Sequence, residues 1–182
     1  TKEIDVILSR PISRASLVLA YWLGFSLVSL LLTVPLSLVL GFIGILNWQG
    51  YFVWTASLLL EGGLVVAMAL FAAFTLRSAV ASVLACMGFY VLSRMMEFFV
   101  LTSQGGMARD KDFMLFNYTL TAISTIIPRL DLFTKSEWLV YGVTAAQEWM
   151  VFVAQAAIFV PILLLATIAD FYQARVEMQA ID

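Results

Sequence analysis

TKEIDVILSRPISRASLVLAYWLGFSLVSLLLTVPLSLVLGFIGIL, residues 1–46, joins a short charged segment to a long apolar one, and this junction decides the fold class. Of the chain's 10 basic and 12 acidic residues, Lys2, Glu3, Asp5, Arg10 and Arg14 lie in the first 17 positions. The run from about Ser16 to Leu46 then exceeds the ~20 apolar residues that a helix needs to cross a hydrocarbon core of about 30 Å. Its excess length predicts tilt or a kink, and Pro35 is the natural kink site. Upstream, Ile4, Ile7 and Leu8 fall on one side of a helix and Lys2, Glu3, Asp5 and Ser9 on the other. Such an element can lie along a membrane surface, either as a juxtamembrane basic flank that merely anchors the next helix or as a docking element for a cytoplasmic partner. Pro11 stops it near Ser9, because proline cannot donate an intrahelical hydrogen bond and disfavours helical geometry at Arg10. The same proline suits the first turn of a new helix that enters the bilayer.

Composition carries this reading to the whole chain. The 182 residues are 63% hydrophobic and only 12% charged, against roughly 25% charged in soluble domains. Mean hydropathy is +0.99. An all-α integral membrane protein with a single transmembrane domain follows. Further spans are expected over about 51–76, 79–101 and 148–169. The polar turn Asn47-Trp48-Gln49-Gly50 joins the first two, and Arg77-Ser78 makes a tight turn between the second and third. Residues 102–147 are mixed. Phe113 to Ile127 is apolar but too short for a full crossing, so a re-entrant or interfacial helix is expected there, closed by Pro128. Trp48, Trp54, Trp138 and Trp149 suit the membrane interfaces, and Pro161 lies inside the last span.

Orientation follows from cations near short connections. Four spans place Lys2, Arg10, Arg14, Arg77 and Arg175 on one side, whereas on the other side the 47–50 turn carries none and the long 102–147 loop, which weighs less, sets four cations against four acids. Both visible ends are therefore expected in the cytoplasm. The net charge is −2 with no basic block, which disfavours nucleic acid as a partner. There is no histidine, the commonest general base and metal ligand, and the single Cys86 has no neighbour to activate it. Gly62-Gly63 and Gly105-Gly106 lack the spacing and the lysine of a phosphate loop. No catalytic site, cofactor or metal is expected.

Charge inside the spans is the informative exception. Glu61 lies roughly ten residues below the outer end of the second span and Arg94 roughly eight below that of the third, so their depths agree within about 3 Å. Adjacent antiparallel helices can pair them, with Glu97, three residues after Arg94, as a competing partner. An unpaired arginine at a helix centre costs about 2.5–3.5 kcal/mol on insertion scales, so a partner is expected. Glu61, Arg94 and Glu97 form either a packing ion pair or a polar lining for a pathway.

The opening segment also resembles the cytoplasmic stretch of ABC exporter permeases of the second type, where an acidic, leucine-rich helix runs into a Ser-x-Pro-[Ile/Val]-Ser-Arg turn and then a span. Glu3, Ile7, Leu8, Ser9, Arg10, Pro11, Ile12, Ser13 and Arg14 carry the likeness. A second point of contact is Ile126-Ile127-Pro128-Arg129-Leu130-Asp131-Leu132-Phe133, similar to the Leu-Pro-x-Leu-Asp-Leu-Phe turn that many of these permeases carry before their last span. The resemblance implies a permease subunit that pairs with a second permease, as homo- or heterodimer, and with cytoplasmic ABC ATPase subunits that bind the ATP. Residues 1–15 would be the coupling helix, with Arg10 and Arg14 meeting the ATPase or the anionic lipid face and Pro11 fixing the angle to the span it moves. The chain would then cover the last four of six spans, the first two being missing ahead of Thr1. A structural or assembly membrane protein that recruits a peripheral partner through its surface helix is the alternative reading, and a membrane enzyme ranks third.

Overall fold

The computed structural model describes residues 13–43, 47–76, 78–104, 127–143 and 146–179. Every regular element among them is helical. In chain order they are α1 (Arg14–Ile43), α2 (Trp48–Thr75), α3 (Ala79–Arg94), α4 (Met96–Gln104), a 3-10 turn (Leu130–Leu132), α5 (Glu137–Tyr141) and α6 (Ala146–Gln179). Ala15–Ile43, Trp48–Thr75 and Trp149–Asp170 are long and apolar enough to cross a membrane. The chain is thus an all-helical, multi-pass membrane protein in its described parts.

Helix α2 is the central post, packed against α1, α3, α5 and α6. Two buried clusters fix how its neighbours run. At one end Val18 of α1, Ala67 of α2 and Leu164 of α6 pack together. Toward the other, Trp54 of α2, Trp138 of α5, Phe152 and Ala156 of α6, and Leu130 and Phe133 of the 3-10 turn form a larger core. The start of α1 therefore lies beside the last third of α2 and the second half of α6. Helices α1 and α3 run antiparallel to α2, whereas α6 runs parallel to it.

The seam between α1 and α2 is tight. The Trp22 indole N–H donates to the Gly63 carbonyl at 3.0 Å, and a Cβ at Gly62 would run into the Ser29 side chain. Of the paired glycines, Gly62 gives the close approach; a Cβ at Gly63 would meet only ordinary contact with Trp22. Helix α1 turns most of its surface outward. Leu31 and Leu32 are 62% and 72% exposed, a pattern that suits contact with lipid rather than water.

Helix boundaries differ from expectation in one instructive place. The third span, expected to be continuous over 79–101, is broken: α3 ends at Arg94, Met95 adopts φ −82°, ψ 0°, and α4 begins at Met96. With 16 residues, α3 is about 24 Å long and falls short of a full crossing. Neither proline nor glycine marks the break. Its cause is tertiary: the Arg94 side chain is tied to the 3-10 turn, and Met96, 1% exposed, turns into the core. The Met95 carbonyl then starts the next turn by accepting from the N–H groups of Phe98 and Phe99. The other helices differ from the expected spans by a few residues at their ends, apart from α6, which continues to Gln179. Pro35 and Pro161 both lie inside continuous helices. Near Pro35 the Thr33 and Ser37 hydroxyls donate to the carbonyls of Ser29 and Thr33, adding bonds on either side of the Leu31 carbonyl, whose usual N–H donor the proline removes. The helix expected over 113–127 lies, except for Ile127, outside the described residues.

Candidate functional site

Between the helices, residues 127–143 descend into the bundle from the end where α2 starts, and their contacts measure the depth. Gly142 lies against the Asn47 side chain, Trp138 against Gly50, and the Thr134 N–H donates to the Ser57 hydroxyl at 3.0 Å. As the segment runs from Gly142 back to Thr134, its partners move ten residues along α2. That corresponds to about 15 Å of depth. Two glycines allow it. A Cβ at Gly50 would overlap the Trp138 carbonyl, and Gly142, at φ +74°, occupies backbone space that side chains avoid. Asn47 completes the seat by accepting from the Gly50 N–H at 3.0 Å, the cap of α2.

At the bottom of this descent lies a polar knot. Ser57 and Glu61 are four residues apart on α2, and Tyr90 and Arg94 four apart on α3, so each pair shares one face of its helix. Thr134 enters between them. Its hydroxyl donates to Glu61 Oε2 at 2.9 Å and accepts from Arg94 Nη2 at 3.0 Å. The Tyr90 hydroxyl donates to Glu61 Oε1 at 3.2 Å. Ser57 accepts from the Thr134 N–H and donates to the Trp54 carbonyl at 2.8 Å. Thr134 holds φ +48°, a left-handed conformation that costs a β-branched residue about 1–3 kcal/mol. Three polar partners offset that strain.

Glu61 is 5% exposed and lies 3.5 Å from Arg94 Nη1, close enough for an ion pair. The shorter bonds of Arg94 go elsewhere. Its Nη1 donates to the Leu130 carbonyl at 2.7 Å and the Phe133 carbonyl at 3.3 Å. The guanidinium therefore pins the 3-10 turn as well as neutralising Glu61, a task its planar fork of donors suits better than an ammonium would. The turn carries a second ion pair of its own, Arg129 with the buried Asp131 at 2.7 Å. Phe133 anchors it to α6, with ring centroids 5.6 Å from Phe152.

The expected pairing of Glu61 with Arg94 thus appears as a close approach. Glu97 has no ion pair with Arg94; it lines, with Arg94, an open polar cleft of about 340 Å³. Glu3, Ile7, Leu8, Ser9, Arg10 and Pro11 lie outside the described residues, and of Arg14 only the backbone, at the start of α1, is described. Ser57, Tyr90 and Thr134 were not anticipated from sequence. The available signal was the spacing of four between Ser57 and Glu61 and between Tyr90 and Arg94 within otherwise apolar spans.

Chemically, the arrangement is suited to holding a polar group at depth. The cleft presents Arg94, Lys135, Glu97, Asp131 and Glu137 beside the hydroxyls of Thr134 and Ser136. Among the described residues no cluster of His, Cys, Asp and Glu could hold a metal ion. A separate apolar cavity of about 260 Å³ lies among α2, α3 and α6, bordered by Met68, Phe71, Cys86, Phe89 and Leu163.

These features define a class: a helical multi-pass membrane protein whose central helix hairpin clasps an inserted segment of short helical turns. No family model, curated protein or solved structure matches the chain.

Proposed function

We propose that the chain is the transmembrane permease subunit of an ABC exporter of the second type, moving a substrate across or out of the membrane with ATP hydrolysed by a separate cytoplasmic subunit. The observation that carries this reading is the seat of the Pro128–Phe133 turn. The segment most similar to the family's turn before the last span is held by Arg94 at its carbonyls and packed by Leu130 and Phe133 into the main core. A likeness on a loose surface loop would weigh less. The order of elements also supports it: long helix, long helix, shorter apolar helix, inserted segment, long helix.

In this reading the protein has no catalytic activity of its own. It sits in the cell membrane, a bacterial inner membrane, with both visible ends cytoplasmic, and pairs with a second permease subunit and with ABC ATPases. Residues 1–15 transmit motion. In the sequence an amphipathic stretch runs through Pro11 into a helix about 45 Å long, and the restricted backbone of proline suits a joint through which the one works as a lever on the other. Replacing Arg10 and Pro11 together by alanine is expected to lower ATP-driven transport at least about tenfold, the loss of roughly one charge-assisted contact plus the rigid joint. Membrane insertion and thermal stability should stay unchanged. Normal transport by a correctly inserted variant would remove the coupling role.

A further inference from the structure

The cleft beside the polar knot holds more charge than the fold uses. Two of its charged groups are accounted for within the protein, Arg94 beside Glu61 and Asp131 beside Arg129. Lys135, Glu97 and Glu137 line the same cavity and, among the described residues, have no ion pair. One ammonium and two carboxylates around about 340 Å³ of open space are the complement of a ligand that carries both signs. A simple anion would face two carboxylates. A simple cation would leave Lys135 without purpose.

The surroundings specify the rest of the ligand. Phe98 and Leu101, one and four residues beyond Glu97 on α4, are 62% and 61% exposed. Charged cleft and apolar surface therefore meet along one short helix, the arrangement that suits a molecule with a polar head and a hydrocarbon tail. The two carboxylates discriminate further. A primary ammonium can donate three hydrogen bonds, whereas a quaternary ammonium of the same charge can donate none.

We propose that this cleft binds the headgroup of an aminophospholipid, with the phosphate at Lys135 and the outward edge of Arg94, the primary ammonium between Glu97 and Glu137, and the acyl chains over Phe98 and Leu101. The inference rests on the helices spanning a membrane and is independent of the permease reading.

The test compares lipids that share a phosphate and differ in the amine. The purified full chain, exchanged into mixed micelles with equal mole fractions of phosphatidylethanolamine and phosphatidylcholine, is examined by native mass spectrometry for retained lipid. Phosphatidylethanolamine should be retained about fivefold more, as expected when charge-assisted hydrogen bonds to carboxylates are gained. Glu97→Gln with Glu137→Gln should abolish that preference, and Lys135→Gln should weaken retention of both lipids. All three positions lie on the surface of the cleft, and unchanged thermal unfolding of each variant confirms that it is folded. Equal retention of the two lipids, or a preference that survives in the folded double variant, overturns the proposal. Soluble phosphoethanolamine that displaces the lipid and binds as tightly without acyl chains would overturn the lipid assignment too, by showing that the cleft takes a water-soluble amine.

Discussion

Phe133→Ala is expected to destabilise the protein by about 3 kcal/mol, the lower end of the range for removing a buried phenyl ring. Phe133 is fully buried and closes the core made by Trp54, Trp138 and Phe152. The estimate stays low because the unfolded chain in a micelle keeps its apolar side chains in an apolar medium, so the loss comes mainly from unfilled space and lost contacts. Truncation also loosens the 3-10 turn, whose Leu130 and Phe133 carbonyls are the acceptors of Arg94. Phe133→Leu should cost about half as much, because most of the volume is retained. Unfolding titrations in mixed micelles measure both changes. A loss below about 1 kcal/mol for the alanine variant would mean that the turn does not hold the segment in place.

Arg94→Leu should cost about 2–3 kcal/mol, even though the side chain is 40% exposed. The change leaves Glu61 buried without a cation and removes the donors to two carbonyls and to Thr134. Solvent screening at the open side of Arg94 limits the Coulomb part of this loss to about 1 kcal/mol. The rest is the loss of hydrogen bonds to Thr134 and to the Phe133 and Leu130 carbonyls, of which the last keeps the Phe133 N–H as a donor. Two corollaries separate these contributions. Arg94→Lys keeps the charge but cannot serve three acceptors in the same plane, so it should lose about half as much as leucine does. Arg94→Leu combined with Glu61→Gln should cost about 1 kcal/mol less than the sum of the single losses, measured by the same titrations. Strict additivity would show that the 3.5 Å approach contributes nothing.

The second of these predictions marks where sequence reasoning reached and where it stopped. The depth of Glu61 and Arg94 was legible, because helical rise converts residue number into height and an intramembrane charge demands a partner. The apolar runs likewise placed the three long helices within a few residues. The break at Met95 was not legible: no proline or glycine stands there, and the chain turns because Arg94 is pulled toward carbonyls 36 and 39 residues further on. Nor was the role of Thr134, a β-branched residue in a left-handed conformation that only its partners on α2 and α3 make tolerable. Serine, threonine and tyrosine in apolar spans read as neutral when taken singly. Their meaning comes from the spacing of four that places Ser57 one turn from Glu61 and Tyr90 one turn from Arg94, on the same helix faces.

That stacking also changes the significance of the intramembrane charges. Glu61 is enclosed and fully occupied, so it serves as an anchor for the inserted segment, while Arg94 and Glu97 face the open cleft. An anchor of this kind joins α2 and α3 to the connection leading into α6.

The most direct measurement of the permease reading is to isolate the protein from its native membrane in mild detergent and identify the subunits that accompany it in constant ratio. A cytoplasmic ATPase bearing a Walker motif is expected, retained through repeated purification and lost when Arg10 and Pro11 are replaced by alanine. Repeated isolation of the intact, folded protein with no ATPase in stoichiometric amount would contradict it.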